Sequence, residues 1–399
     1  MEDLDALKDR VCGEIDAARD EFVGLSRRIH QNPELGLQER QAADWLGALL
    51  REAGFSVERP IAGMETAFRA EVRGRGARPR VALIAEYDAL AGLGHACGHN
   101  LICMASVGAA VALRRAVPAL PGTLTVLGTP AEETMGGKIP MVEQGAFEGV
   151  DAAMMFHPSR NNWWTRGALA AQSLLVKFHG KPAHAAAMPE KGINALNALL
   201  LTYHAIDSLR QHVPSDVRIH GIITKGGDAP NVVPAYAEGD FLVRAAARST
   251  MADVLAKVKR CAEGAAAQTG AKVEFEQGLV YAERYNNQAL AALFAGNMGR
   301  IGIAGEQPPS EGGVGSSDIG NVSMACPTIH PYLKIADGVS GHTVEFREAA
   351  ASPRGYEAML AAAKGLAMTS LDVLYRPEAV KAMWDEFKAT VPPGGDRPA

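Results

Sequence analysis

The sequence predicts an α/β protein whose mixed, mostly parallel sheet is flanked by helices and interrupted by an inserted β-α-β-β-α-β domain. Three observations predict it. From Val81 to Phe156, apolar runs of strand length alternate with helical patterns, as parallel βαβ units do. After Trp163-Trp164 the runs instead alternate apolar and polar residues, as half-exposed strands do. The 399 residues also exceed one ordinary core, at a prior of about 150 per domain. Two domains are expected, one discontinuous over 1–165 and 284–399 and one inserted over 166–283.

Taken in order, Asp3 to Asn32 has helical spacing and ends before Pro33, which cannot continue a helix. Glu39 to Ala53 reads as an amphipathic helix stopped by Gly54. Phe55 to Val57, Ala67 to Val72 and Val81 to Ala85 read as strands, the last one buried. Gly92 to Asn100 is a glycine-broken loop, and Asn100 to Val117 a buried helix of small and aliphatic residues. Gly122 to Gly128 is the next strand and runs into Thr129-Pro130-Ala131-Glu132-Glu133. A helix from Lys138 to Ala146 follows, then a short strand, Asp151 to Phe156, that ends in His157-Pro158.

In the insert, strands are expected over Ala168 to Gly180, Val217 to Gly226, Ala235 to Ala247 and Ala271 to Ala282, with helices over Gly192 to Val213 and Met251 to Gly270. That order is ferredoxin-like. The outer domain resumes with a helix over Gln288 to Arg300, a flexible loop over Glu311 to Asp318, a strand over Thr328 to Ile335, and helices over Ser352 to Leu374 and Ala379 to Thr390.

Composition excludes several classes. With 47% hydrophobic and 21% charged residues, the chain reads as soluble and globular. No run approaches the ~18 apolar residues of a membrane span, and the acidic first residues do not resemble a signal peptide, so a cytoplasmic protein without a membrane partner is expected. Cys12, Cys97, Cys103, Cys261 and Cys326 are scattered and odd in number, which fits a reducing compartment better than a disulfide framework. A formal charge of −5, with no basic cluster longer than the Arg73 to Arg80 loop, argues against nucleic acid.

Three successive strands end near Cys97 and His99, near Glu132 and Glu133, and near His157. The carboxyl edge of such a sheet is where ligands bind. Thiolate, imidazole and carboxylate together favour Zn²⁺ and its first-row neighbours over Mg²⁺. Cys97, His99, Glu133, His157 and His342, with Glu132 in addition, are more donors than one closed tetrahedral site uses. The surplus points to two metals bridged by water, roughly 3.5–4 Å apart, with one carboxylate left to move protons. Position alone leaves open which of the adjacent glutamates does this. Read alone, the pair would be a solvated acidic helix start.

The motifs His30-x-Asn-Pro-Glu-Leu, Tyr87-Asp88-Ala-Leu, His95-Ala-Cys-Gly-His99, Pro130-Ala-Glu-Glu133, His184-Ala-Ala, Asn231-Val-Val-Pro234 and Gly341-His342-Thr resemble the dinuclear metallopeptidase family of the aminoacylases, carboxypeptidase G and the auxin-conjugate amidohydrolases. Asn100 and the Ile329-His330-Pro331 feature resemble its subgroup holding p-aminobenzoyl-glutamate hydrolase and the animal β-alanyl-lysine dipeptidase. The resemblance runs from Phe22 to Leu374 and implies a zinc-aminopeptidase-like catalytic domain with a lid or dimerisation domain. It implies Cys97, His99, Glu133, His157 and His342 as ligands of two divalent ions, Zn²⁺ foremost, with Mn²⁺, Co²⁺ and Ni²⁺ as alternatives. It also implies Glu132 as general base and acid, and Asp88 as an orienting residue beside the metals. His184 would stabilise the oxyanion in a partner subunit's site, so a homodimer follows, and Asn231 would face the substrate.

Arg244 is a candidate clamp for a substrate carboxylate, because guanidinium pairs with carboxylate through two hydrogen bonds; an arginine at a sheet edge is the alternative. Trp163, Trp164 and Tyr203 are candidate aromatic walls. His30 and His330 read as structural. The expected activity is hydrolysis of the amide of a small dipeptide or an N-acyl or N-aroyl amino acid. Cleavage of another C–N bond, as in an arylamide or aromatic amine, is the alternative, followed by a noncatalytic metal-binding regulator.

Overall fold

Arg80–Glu86, buried along nearly its whole length, is the strand from which the sheet extends on both sides. The computed structural model describes residues 3–308 and 314–392. The chain divides into two compact units, one of Met1–Gly167 with Arg284–Ala399 and one of Ala168–Glu283.

The first unit opens with helices α1 (Leu4–Ala17), α2 (Arg19–Gln31) and α3 (Arg40–Glu52). Strands β1 (Ser56–Glu58), β2 (Phe68–Arg73) and β3 (Arg80–Glu86) follow, then α4 (His99–Ala116), β4 (Thr123–Thr129), α5 (Lys138–Glu143), β5 (Ala152–Met154) and β6 (His157–Ser159). The second unit is β7 (Ala170–His179), α6 (Ala195–Leu209), β8 (Arg218–Lys225), β9 (Tyr236–Ala245), α7 (Arg248–Thr269) and β10 (Lys272–Gln277). The chain then returns with α8 (Gln288–Arg300), α9 (Ile319–Ala325), β11 (Thr328–Ile329), β12 (Tyr332–Lys334), α10 (Val344–Ala349), α11 (Pro353–Tyr375) and α12 (Pro377–Thr390).

The larger sheet has six strands in the order β1-β2-β4-β3-β5-β11. Its β4-β3-β5-β11 part is parallel, and β1 and β2 are antiparallel additions at one edge. A continuous apolar run such as Val81 to Ala85 suits a parallel strand covered on both faces. Helix α4 packs on β3 and β4, and α11 on α4 and β3. Although α11 is apolar over a length that could cross a bilayer, most of it is buried within this unit.

In the second unit the four strands run antiparallel in the order β10-β7-β9-β8. Alternate residues of β7 and β9 are buried, among them Leu174, Val176, Phe178, Phe241 and Val243. They meet the apolar stripe Met251, Val254, Leu255, Val258 and Ala262 of α7, which ends where Gly270 turns left-handed at φ +77°.

Three sequence expectations need correction. The helix expected over Asp3 to Asn32 is two, broken at Ala18 (φ −91°, ψ 10°). No helix breaker stands there; the break lets α1 pack on α11 and α4 while α2 packs on α4. The strand expected over Asp151 to Phe156 stops at Met154, so His157 opens a new strand instead of following the old one. Its partner is likewise interrupted, because Pro331 between β11 and β12 has no N–H to give the ladder. The loop expected over Glu311 to Asp318 lies partly outside the described residues.

Candidate metal centre

Cys97 and His99 flank Gly98, whose φ is +79° and whose place allows no side chain, since a Cβ would lie 2.5 Å from Pro158 Cγ. That turn ends the loop and starts α4 at His99. Cys97 Sγ lies 3.4 Å from His157 Nε2, while His157 Nδ1–H donates to the Pro158 carbonyl at 2.7 Å. His99 Nδ1–H is shared between the Asp88 carbonyl at 2.9 Å and Asp88 Oδ1 at 3.0 Å. Its Nε2 is left facing Glu133 Oε1 at 3.8 Å, and that oxygen lies 3.3 Å from His342 Nε2. His342 is held at φ +65°, a costly conformation for a residue with a Cβ, and its N–H donates to the Ala96 carbonyl at 2.9 Å.

Three donor groups result, each with its atoms within 4.8 Å of one another: Cys97 with His99 and His157, Cys97 with Glu133 and His342, and His99 with Glu132 and Glu133. His99 Nε2 is buried without a hydrogen-bond partner, a costly condition that a cation would relieve. Sulfur, nitrogen and carboxylate oxygen arranged in this way fit divalent first-row ions. All five expected ligands, together with Glu132 and Asp88, are thus brought together in the first unit.

Electrostatics separates the two glutamates. Burial, together with the carboxylates of Glu86, Asp318 and Glu133, holds the Glu132 carboxyl well above the ordinary range. Burial acts on Glu133 in the same sense, but the His342 hydrogen bond and the charge of His99 outweigh it and hold this carboxyl down at about 2. The two adjacent carboxyls are thus pushed in opposite directions by what surrounds each of them. Burial also holds His157 down at about 4, so its imidazole is neutral near pH 7, as a metal ligand requires.

Sequence reasoning missed the ions behind the site. Lys138, Asp318 and Glu86 are buried together. Lys138 Nζ donates to Asp318 Oδ1 at 2.9 Å and forms an ion pair with Glu86 Oε1, and the Lys138 N–H donates to Asp318 Oδ2 at 2.9 Å. Glu86 Oε2 lies 3.5 Å from His99 Nε2. The available signal was a charge directly after a strand that should be buried, Glu86 following Val81 to Ala85.

His184, Tyr203, Asn231 and Arg244 lie in the second unit. His184 and Val232 form an antiparallel bridge, and the Ala185 N–H donates to the Asn231 carbonyl at 3.0 Å, so His184 and Asn231 are neighbours on the exposed surface. His184 Nδ1 accepts N–H groups from Ala186 and Ala187 at 3.3 and 3.2 Å, which leaves the proton on Nε2. Arg244 lies on β9 between Ala171 and Arg218, inside the sheet and not at its edge. Of the aromatic candidates, Trp163 stands 6.2 Å from the Tyr332 ring, itself 5.6 Å from that of His157. Trp164 packs on Phe294 and Tyr203 on Phe241. His330 is buried and accepts a hydrogen bond from Arg284 at Nδ1.

Fold and donor set together define a metal-dependent amide hydrolase. Residues 166–270 match the model of a peptidase dimerisation domain. The chain is 40% identical to an Xaa-Arg dipeptidase of Mus musculus, over 97% of this chain and 93% of that protein. It is 36% identical to one of the subunits of the p-aminobenzoyl-glutamate hydrolase of Escherichia coli, over 65% of this chain and 58% of that one. A dinuclear metal-binding peptidase of the M20 family from Bacillus subtilis shares the fold, with a TM-score of 0.69 at 22% identity over 90% of this chain and 99% of that one. The chain belongs to the M20 family of metallopeptidases.

Proposed function

We propose that this protein hydrolyses the amide that joins an acyl, aroyl or aminoacyl group to an amino acid, with Glu132 as the proton carrier. The convergence of Cys97, His99, Glu133, His157 and His342 on Glu132 carries this reading. The names of its relatives support the substrate class, since an Xaa-Arg dipeptide and p-aminobenzoyl-glutamate both release a free amino acid. The Tyr332 ring, 5.6 Å from that of His157, suits an aromatic or extended acyl group.

Two divalent ions per chain, Zn²⁺ or its neighbours Mn²⁺, Co²⁺ and Ni²⁺, would be held by the five ligands, with Cys97 common to two donor groups. Bound there, they would acidify the attacking water and polarise the amide carbonyl. Glu132 takes the proton of that water and returns it to the leaving nitrogen. Asp88 fixes the ring of His99, so that Nε2 is the nitrogen offered to the site. His184 offers its Nε2–H to the developing oxyanion from a partner subunit, Asn231 faces the substrate beside it, and Arg244 pairs with the substrate carboxylate.

A homodimer through the second unit is part of this reading. Its edge strand β8 leaves Ile222 and Ile223 64% and 42% exposed, and an open apolar edge of this kind favours a strand from another chain. A cytoplasmic location agrees with five cysteines that are all free thiols.

Amine release from Xaa-Arg and β-alanyl-lysine dipeptides, p-aminobenzoyl-glutamate, N-acetyl amino acids and arylamides, by metal-reconstituted protein with a chelated control, tests the proposal. Chelator-sensitive turnover of one acyl-amino acid group is the expected result. Turnover of arylamides alone would transfer the reading to another C–N bond.

A further inference from the structure

We infer that Glu39 is a positioning residue for Glu132 and Glu133 and acts through the backbone of Ala131; the inference rests on the roles given to those glutamates above. Glu39 stands just before α3 and is fully buried. Its Oε1 accepts the Ala131 N–H at 2.8 Å, and its Oε2 accepts the Thr66 hydroxyl at 2.9 Å. Among the described residues no lysine or arginine bonds this carboxyl, and both of its oxygens are thereby used on neutral donors.

Ala131 is where such a hold is needed. It is an alanine at φ +60°, in the left-handed region that residues with a Cβ avoid. Its carbonyl accepts N–H groups from Met135, Gly136 and Gly137 at 3.2, 2.9 and 3.3 Å. One residue thus carries the turn that presents Glu132 and Glu133, with its carbonyl at the turn's centre and its N–H on Glu39.

The segment before Glu39 braces the neighbouring loops as well. A Cβ on Gly36 would lie 2.3 Å from Thr134 Oγ1 and 3.0 Å from Ala131 Cα, so this backbone rests directly on the same turn. The Glu34 carbonyl accepts the Ala89 N–H at 2.9 Å, next to Asp88. The Glu34 carboxylate in turn accepts the N–H groups of Gln41 and Ala42 at 3.1 and 3.0 Å, tying the segment to α3. His30 Nε2–H donates to the Arg347 carbonyl at 2.9 Å, on the helix that follows His342. The motif from His30 to Leu35 supplies none of the candidate donors; it holds the loops that do.

Amide hydrogen exchange of metal-free protein, Zn²⁺ titration by calorimetry, and kcat and KM on the substrate found above test the inference in Glu39→Ala, Glu39→Gln and Glu39→Ala combined with Ala131→Gly. The alanine variant is expected to exchange faster across residues 129–137, to bind Zn²⁺ more weakly, and to lose about 10²-fold in kcat with little change in KM, since misplacing a reacting group by an ångström costs that much. Glutamine keeps an acceptor for the Ala131 N–H and is expected to restore most of each property. Glycine at 131 takes a positive φ without strain and is expected to restore part. Unchanged exchange and Zn²⁺ affinity in the alanine variant, or glutamine as damaging as alanine, would overturn the inference. Should Glu39→Ala fail to fold, Thr66→Val removes only the other bond of the same carboxylate, and unchanged exchange there overturns it equally. Glu132→Gln is measured in parallel: wild-type turnover in that variant would refute the role of Glu132, while exchange at Ala131 still decides that of Glu39.

Discussion

Asp88 ties His99 to Glu133 through one carboxylate, with Oδ1 3.0 Å from His99 Nδ1 and Oδ2 accepting the Glu133 N–H at 2.9 Å. An asparagine cannot accept both bonds, because one of its two ends is a donor. Asp88→Asn is therefore expected to weaken Zn²⁺ binding by about 10–100-fold, the usual cost of losing a group that orients a ligand. Calorimetric titration checks this, and wild-type affinity would contradict it.

Glu132→Gln keeps the shape of the side chain and removes its ability to carry a proton. A loss of roughly 10²–10⁴-fold in kcat is expected, with metal content retained. Elemental analysis alongside steady-state kinetics separates this outcome from simple loss of the ions.

Lys138 is the cation that balances Glu86 and Asp318 in a buried cluster. Lys138→Met strands two carboxylates out of water and is expected to cost about 3–5 kcal/mol of stability by denaturant unfolding. Adding Asp318→Asn removes one stranded charge, so the double variant should be more stable than Lys138→Met alone.

Burial raises the Glu39 carboxyl from 4.5 to about 7. The native state holds this proton more tightly than the unfolded chain, so the stability it contributes is complete below the unfolded value and is lost as pH rises through about 7. Glutamine has no proton to lose. The stability of Glu39→Gln relative to wild type should therefore grow between about pH 5 and about pH 8, by up to about 3 kcal/mol. Thermal unfolding of both proteins across this range would refute the assignment if the difference stayed flat.

Ile222→Lys together with Ile223→Lys places two charges on the open edge of β8, a natural device against strand pairing. Light scattering should show a shift from dimer to monomer. If wild type is already monomeric, the homodimer reading fails at once.

The sequence by itself determined the elements and the chemistry on offer. Val81 to Ala85 reads as a buried strand because no polar residue interrupts it, the β-α-β-β-α-β order of the second unit follows from periodicity, and Cys97, His99, Glu133, His157 and His342 stand out because their side chains are metal donors wherever they lie. Local signals of this kind depend on neighbours in the chain, and those are visible in a sequence.

Only the tertiary structure decided what depends on distant neighbours. The break at Ala18 and the restart of the strand at His157 follow from packing and pairing partners far away in the chain. The opposite shifts of Glu132 and Glu133 come from Glu86, Asp318, His99 and His342, which no spacing rule brings together. Glu39 and Ala131 are 92 positions apart, and their hydrogen bond exists because the chain folds the α3 start beneath the end of β4. Donor identity is a property of a residue, whereas its charge state and aim are set by whatever the fold places against it.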